Sequence, residues 1–132
     1  MRRGLKDTIK DFLERKGFNV KINGRIVGFS GIEHSFDVVA SKGNLVVCFD
    51  LVDPNINSFI ELWGKVMDVS HARIFVVCEE ESYRRVPDEA GLLNFDKIEN
   101  VKVLSLRDLN SMLEKIGSIV KDENECISVI FN

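Results

Sequence analysis

No stretch of this 132-residue chain is apolar for long enough to cross a bilayer; its longest hydrophobic runs are a few residues. Prolines number two, and there is no internal repeat, low-complexity stretch or linker, so one domain over residues 1–132 is expected. Three cysteines (48, 78 and 126) stand in apolar surroundings without CxxC or Cys/His spacing. They read as free buried thiols of a reducing compartment rather than a disulfide or a zinc site. No apolar segment follows the basic start MRRGLKDTIKDFLERKGF. A secretion signal is therefore not expected, and a cytoplasmic protein is. Gly24, Gly28 and Gly31 form no GxGxxG or phosphate loop, which argues against nucleotide binding. Ser30, Ser35 and Ser41 lack a nucleophile elbow, which argues against triad hydrolysis.

What is present is an ordinary globular composition, 45% apolar and 30% charged, enough to bury a core without staples. The net charge of −3 is unevenly spread. Residues 1–26 hold eight basic side chains (Arg2, Arg3, Lys6, Lys10, Arg15, Lys16, Lys21, Arg25) against Asp7, Asp11 and Glu14, a balance of +5 that leaves −8 for the rest. Either the basic segment faces phosphate or it is a solvated helix face. On the first reading, nucleic-acid contacts come from Arg2, Arg3, Lys6, Lys10, Arg15, Lys16 and Arg25.

Leu5, Ile9, Phe12 and Leu13 recur at helical spacing over 4–16, and Gly17 ends that helix. Residues 18–26 read as a strand or hairpin around Asn23-Gly24, and GFSG as a connector. Two strands, 35–40 and 45–52, flank an SKGN turn, and Asp53-Pro54 breaks the chain after them. Ile56, Phe59, Ile60, Trp63, Val66 and Met67 mark an amphipathic helix over 56–69. Trp63, Phe59 and Met67 are expected in the core, with a dimer contact as the other reading. ARIFVVC (72–78) reads as a strand covered on both faces. A short helix near 88–95, a strand over 101–106, a helix ending at Gly117 and an edge strand in ECISVIFN complete the order. The expected fold is α/β, a mixed sheet flanked by helices, with 18–26, 35–40 and 45–52 consecutively antiparallel and 72–78 parallel to 45–52 after a right-handed crossover.

Two aspartates lie in segments that otherwise read as buried. With SKGN as a four-residue loop, Ala40 faces Leu45 and Asp37 faces Cys48. Asp37 and Asp50 then become diagonal neighbours on one sheet face, roughly 7 Å apart at the backbone. Facing carboxylates need a cation or a shared proton, unless each simply sits at a strand end. His34, beside Glu33, reads either as a hydrogen-bonding structural residue or as a ligand or base.

The ordered set LKDTIKDFLERKGF, GIEHSFDVVA, NLVVCFDLV, helix 56–69 and ARIFVVC resembles the PD-(D/E)XK nuclease superfamily, specifically the Mrr-like restriction endonucleases and archaeal Holliday-junction resolvases. The resemblance covers about residues 4–106 and implies a restriction-endonuclease-like fold (an α-β-β-β-α-β core) with Asp37 and Asp50 as Mg²⁺ ligands. The family's acid-x-lysine is here Asp50-Leu51-Val52, so valine replaces the lysine, and Lys6 and Asp7 stand where a supporting glutamate is frequent. Lys65 and Lys42 are the candidate replacements for the lysine. The expectation is a degenerate, non-catalytic nuclease fold that binds DNA or a protein of transcription or DNA repair, with a homodimer left open. The alternative is a Mg²⁺-dependent endonuclease using Asp37, Asp50 and a displaced lysine.

Overall fold

The computed structural model describes residues 2–52, 56–78 and 99–117. The expected Asp53-Pro54 break, the helix near 88–95 and the edge strand in ECISVIFN lie outside them. Helix α1 (Arg2–Arg15) leads to β1 (Asn19–Ile22), β2 (Arg25–Val27), β3 (Glu33–Ser35), β4 (Val38–Lys42) and β5 (Leu45–Leu51). Then come α2 (Ile56–Asp68), β6 (Arg73–Cys78), β7 (Val101–Ser105) and α3 (Leu106–Gly117). Five strands form one mixed sheet in the order β1-β4-β5-β6-β7, antiparallel through β5 and parallel beyond it. No helix of the described residues is long and apolar enough to cross a membrane.

Strand alternation sorts the core. Leu45, Val47, Phe49 and Leu51 of β5 point to the side where Ile9 and Leu13 of α1 pack with Leu109, Met112, Leu113 and Ile116 of α3. Cys48 points the other way, into a second cluster with Phe36, Ile74 and Val76, with Leu62 and Val66 of α2, and with Val69 just past its end. Helices therefore cover both faces, as the unbroken apolar run of β5 requires. Ser105 caps α3, its hydroxyl accepting from the Asp108 N–H and donating to the Asp108 carboxylate.

Four expectations are corrected. The 42–45 turn is a two-residue hairpin: Lys42 faces Leu45 and Ala40 faces Val47, because Gly43 (φ 61°) supplies the positive φ of a tight turn. Residues 18–26 are not one strand. The chain turns a corner at Asn23-Gly24; β1 stays in the main sheet, while β2 pairs with β3 in a separate two-stranded ribbon. Strand 35–40 is likewise interrupted, β3 ending at Ser35 and β4 starting at Val38, where carboxylates in place of backbone carbonyls accept from the Asp37 and Leu51 N–H groups. On α2 the buried stripe is Leu62 and Val66, continued by Val69 just past its end, with Trp63 half-buried; Ile60 and Met67 are 54% and 57% exposed. Met67 is thus no core residue, the helix being turned so that Lys65 and Asp68 face the strands.

Candidate functional site

The corrected hairpin register decides the site. Val38 faces Phe49, and one step further along the same register sets Asp37 against Asp50. The two carboxylates are therefore direct cross-strand neighbours rather than diagonal ones. Each replaces part of the ladder: the Asp37 N–H donates to Asp50 Oδ1 at 3.0 Å, and the Leu51 N–H donates to Asp37 Oδ2 at 2.7 Å. These reciprocal bonds fix both carboxylates where β4 begins and β5 ends.

The remaining carboxylate oxygens each meet an ammonium. Lys65 Nζ, reaching from α2, donates to Asp50 Oδ2 at 2.6 Å and to the Ser35 carbonyl at 2.7 Å. It also lies over the Phe36 ring, 4.8 Å from its centroid. Lys6 Nζ, from α1, stands 3.1 Å from Asp37 Oδ1 and donates to Asn23 Oδ1 at 2.9 Å. The corner at Asn23 (φ 55°) brings that side chain to the cleft.

The cleft holds about 350 Å³ and is lined by Asn23, Ser35, Phe36, Asp37, Asp50, Leu51, Val52, Glu61, Leu62 and Lys65. Burial pushes the Asp50 carboxyl above the ordinary carboxylate range, and Lys65 pulls it back. Cys48, on the same strand face beneath Asp50, has a thiol pushed up by burial, with the Asp50 charge adding to it. It is free and buried as expected; the Cys78 side chain and all of Cys126 lie outside the described residues.

Of the two lysines considered as replacements for Val52, only Lys65 arrives. Lys42 turns away to the α1 C-terminus, donating to the Lys16 carbonyl at 3.0 Å and lying over the Phe18 ring. His34 is not in the cleft; its Nε2 is 2.7 Å from Asp68 Oδ2. Asp68 also accepts from the Ser30 hydroxyl (2.6 Å) and the Ser30 N–H (2.9 Å). These donors, Ser30 first and then His34, lower its pKa to about 2. Gly28 makes this clamp possible, because a Cβ there would run into the Asp68 carboxylate.

The expected basic set is dispersed. Lys6 meets Asp37 and Asn23 at the edge of the cleft, Lys10 stands 4.0 Å from Glu14, Arg15 donates to the Asp11 carbonyl, and Lys16 lies over Phe12. Arg25 is exposed on β2 directly opposite Ser35, beside the cleft mouth; the side chains of Arg2 and Arg3 lie outside the described residues. Sequence reasoning missed the pairing of Lys6 with Asp37, the role of Asn23 and the cleft position of Glu61. For Glu61 the signal was its spacing of four from Lys65, which puts both on one helix face.

Hard carboxylate oxygens fixed side by side suit Mg²⁺ or Mn²⁺, which use one or two carboxylates together with substrate phosphate. Asp37 and Asp50 fit that requirement. Among the described residues no group of three or more His, Cys, Asp or Glu side chains is arranged to cage a metal. No family model and no curated protein matches the chain. Among solved structures it is similar to a protein of unknown function, AF1548, with a TM-score of 0.53 and 15% identity over 96% of this chain and 77% of that one, a likeness of fold.

Proposed function

We propose that the chain is a member of the PD-(D/E)XK nuclease superfamily whose cleft engages nucleic acid and cuts it with a divalent cation. The observation that carries this reading is the position of Lys65, whose ammonium stands 2.6 Å from Asp50 although Val52 occupies the family's lysine position. On this reading Asp37 and Asp50 would hold Mg²⁺. When bound, the cation supplies a Lewis acid for the phosphoryl oxygen and a more acidic water. Lys65 places a fixed positive charge beside the carboxylates, where negative charge on the phosphate grows in the transition state. The Ser35 carbonyl and the Phe36 ring hold that ammonium in place, so it needs no reorganisation during the reaction. Arg25, beside the cleft mouth, is suited to a flanking phosphate. The reading implies a cytoplasmic protein acting in DNA metabolism.

The test is cleavage of plasmid and branched DNA in Mg²⁺ or Mn²⁺. Wild type should nick or cut, and Lys65→Met should lose at least about a hundredfold in rate, the scale of one transition-state electrostatic contact. Adding Val52→Lys to Lys65→Met should return part of that rate. Wild-type protein that leaves both substrates intact at high concentration sinks the enzymatic reading.

One observation favours a second reading, binding to DNA or to a transcription or repair protein without cleavage. Lys6 already neutralises Asp37, which reads equally as a structural ion pair in a fold that has lost its chemistry. Salt-dependent DNA binding with no cleavage distinguishes that reading.

A further inference from the structure

In the cleft, all four oxygens of Asp37 and Asp50 already have a partner: two accept from backbone N–H groups, one accepts from the Lys65 ammonium, and one is ion-paired with the Lys6 ammonium at 3.1 Å. The backbone donors belong to the sheet and cannot leave without opening it. The lysines are tethered only by side chains. Two carboxylates and two ammoniums sum to zero charge, so a dication arriving alone meets two positive neighbours and no net attraction from the set. Glu61, exposed on the cleft-lining side of α2, is the further acid there.

We propose that Lys6 and Lys65 are internal counterions that yield Asp37 and Asp50 only to an incoming phosphodiester, so that cation and phosphodiester binding are thermodynamically coupled in this cleft. The inference rests on the nuclease reading above and goes beyond it, because it assigns Lys6 a role that the spacing of the acids does not. The phosphodiester offers each lysine an anion to replace its carboxylate, and the freed carboxylate oxygens then face a site with a net demand for positive charge. Each lysine also has a neutral acceptor that does not compete for the metal: Asn23 Oδ1 for Lys6, and the Ser35 carbonyl and Phe36 ring for Lys65. Those contacts keep the ammoniums at the cleft while their charge partner changes. Both side chains are partly open to solvent, 19% for Lys6 and 22% for Lys65, so neither exchange requires the core to open. The coupling is reciprocal: whatever factor the phosphodiester adds to cation affinity, the cation adds to phosphodiester affinity.

The experiment is calorimetric titration of the whole chain with Ca²⁺ or Mn²⁺, alone and with a short DNA duplex whose linkages are phosphorothioates. Wild type should bind the cation at least about tenfold more tightly with duplex present, and the duplex more tightly by the same factor with cation present. Lys6→Met removes one competing charge, so it should bind the cation more tightly by itself and show a smaller coupling factor. Lys6→Arg keeps the charge and should keep the coupling, and circular dichroism establishes that both variants are folded. Equal cation affinity with and without duplex, or a Lys6→Met protein that binds cation more weakly than wild type, overturns the proposal. If such a protein still cuts DNA, the nuclease reading survives the loss. If neither cation nor duplex binds and no DNA is cut, both fall together.

Discussion

Helix α2 contributes to two carboxylate constellations three residues apart, and they behave in opposite ways. Lys65 serves the cleft, where Asp50 is buried and its carboxyl is pushed up by burial. Asp68 serves the ribbon, where two donors from Ser30 and the His34 ring hold its carboxyl down to about 2. Both are single aspartates with good hydrogen bonds. What differs is the balance between lost solvent and gained donors: Asp50 sits in the sheet with one backbone donor and one ammonium, whereas Asp68 stays partly open and collects three donors. The first arrangement leaves an anion that is costly to keep, which suits a site that exchanges partners. The second leaves an anion that is hard to protonate, which suits a clasp. Chemistry is expected in the cleft, and the fastening of β2–β3 to α2 in the clamp.

The largest effect should come from emptying the cleft. Asp50→Ala leaves Lys65 without its counter-charge and the Asp37 N–H without an acceptor, and should cost about 3 kcal/mol in urea unfolding, as for removal of one member of a largely buried pair. A loss no bigger than that of a clamp variant would erase the distinction drawn between the two regions. Gly28→Ala should be smaller, about 2 kcal/mol in thermal melts, because the Asp68 carboxylate can turn aside but the Asp68 backbone carbonyl, 2.9 Å from the added Cβ, must shift as well. The same change should weaken the contacts of Ser30 and His34 while leaving Asp37 and Asp50 undisturbed.

The smallest effect is one of pH, and its sign differs between the regions. Asp68 titrates lower in the folded protein than when unfolded. Its contribution is full above the ordinary carboxylate range and is lost as pH falls from there through about 2. Asp50 titrates higher when folded, so protonation favours its folded form, and that benefit is lost as pH rises from the ordinary range through its raised value. In melts from strongly acidic to neutral pH, Asp68→Asn should flatten the acid limb of the stability curve. Asp50→Asn should steepen the rise with pH, because the opposing titration is gone. Parallel curves for the two variants would mean that burial and donor count do not separate these aspartates.

Much of the scaffold was legible because it rests on local periodicity. The Leu5-Ile9-Leu13 spacing of α1, the covered run of β5 and the stop at Gly17 all follow from side chains a turn or a pleat apart. The proximity of Asp37 and Asp50 was legible too, although from a register displaced by two residues; an even displacement keeps every side chain on its face. Local pattern could not say that Asn23-Gly24 turns a corner between two sheets instead of closing a hairpin, since the same dipeptide serves both. His34 was recognisable as a hydrogen-bonding residue, but its partner Asp68 lies 34 positions away. The Lys6–Asp37 pair was hidden for the same reason, being made by packing α1 against the end of the sheet.

Beneath this cleft, the Cys48 side chain gives the sheet a clock. Its thiol is sealed on the α2 side of β5, and burial keeps it from forming the thiolate that reacts with alkylating reagents. Modification at this position therefore waits for β5 to part from its covering helix. In a chain whose other two cysteines are replaced by serine, the alkylation rate reads the opening frequency of the strand that carries Asp50.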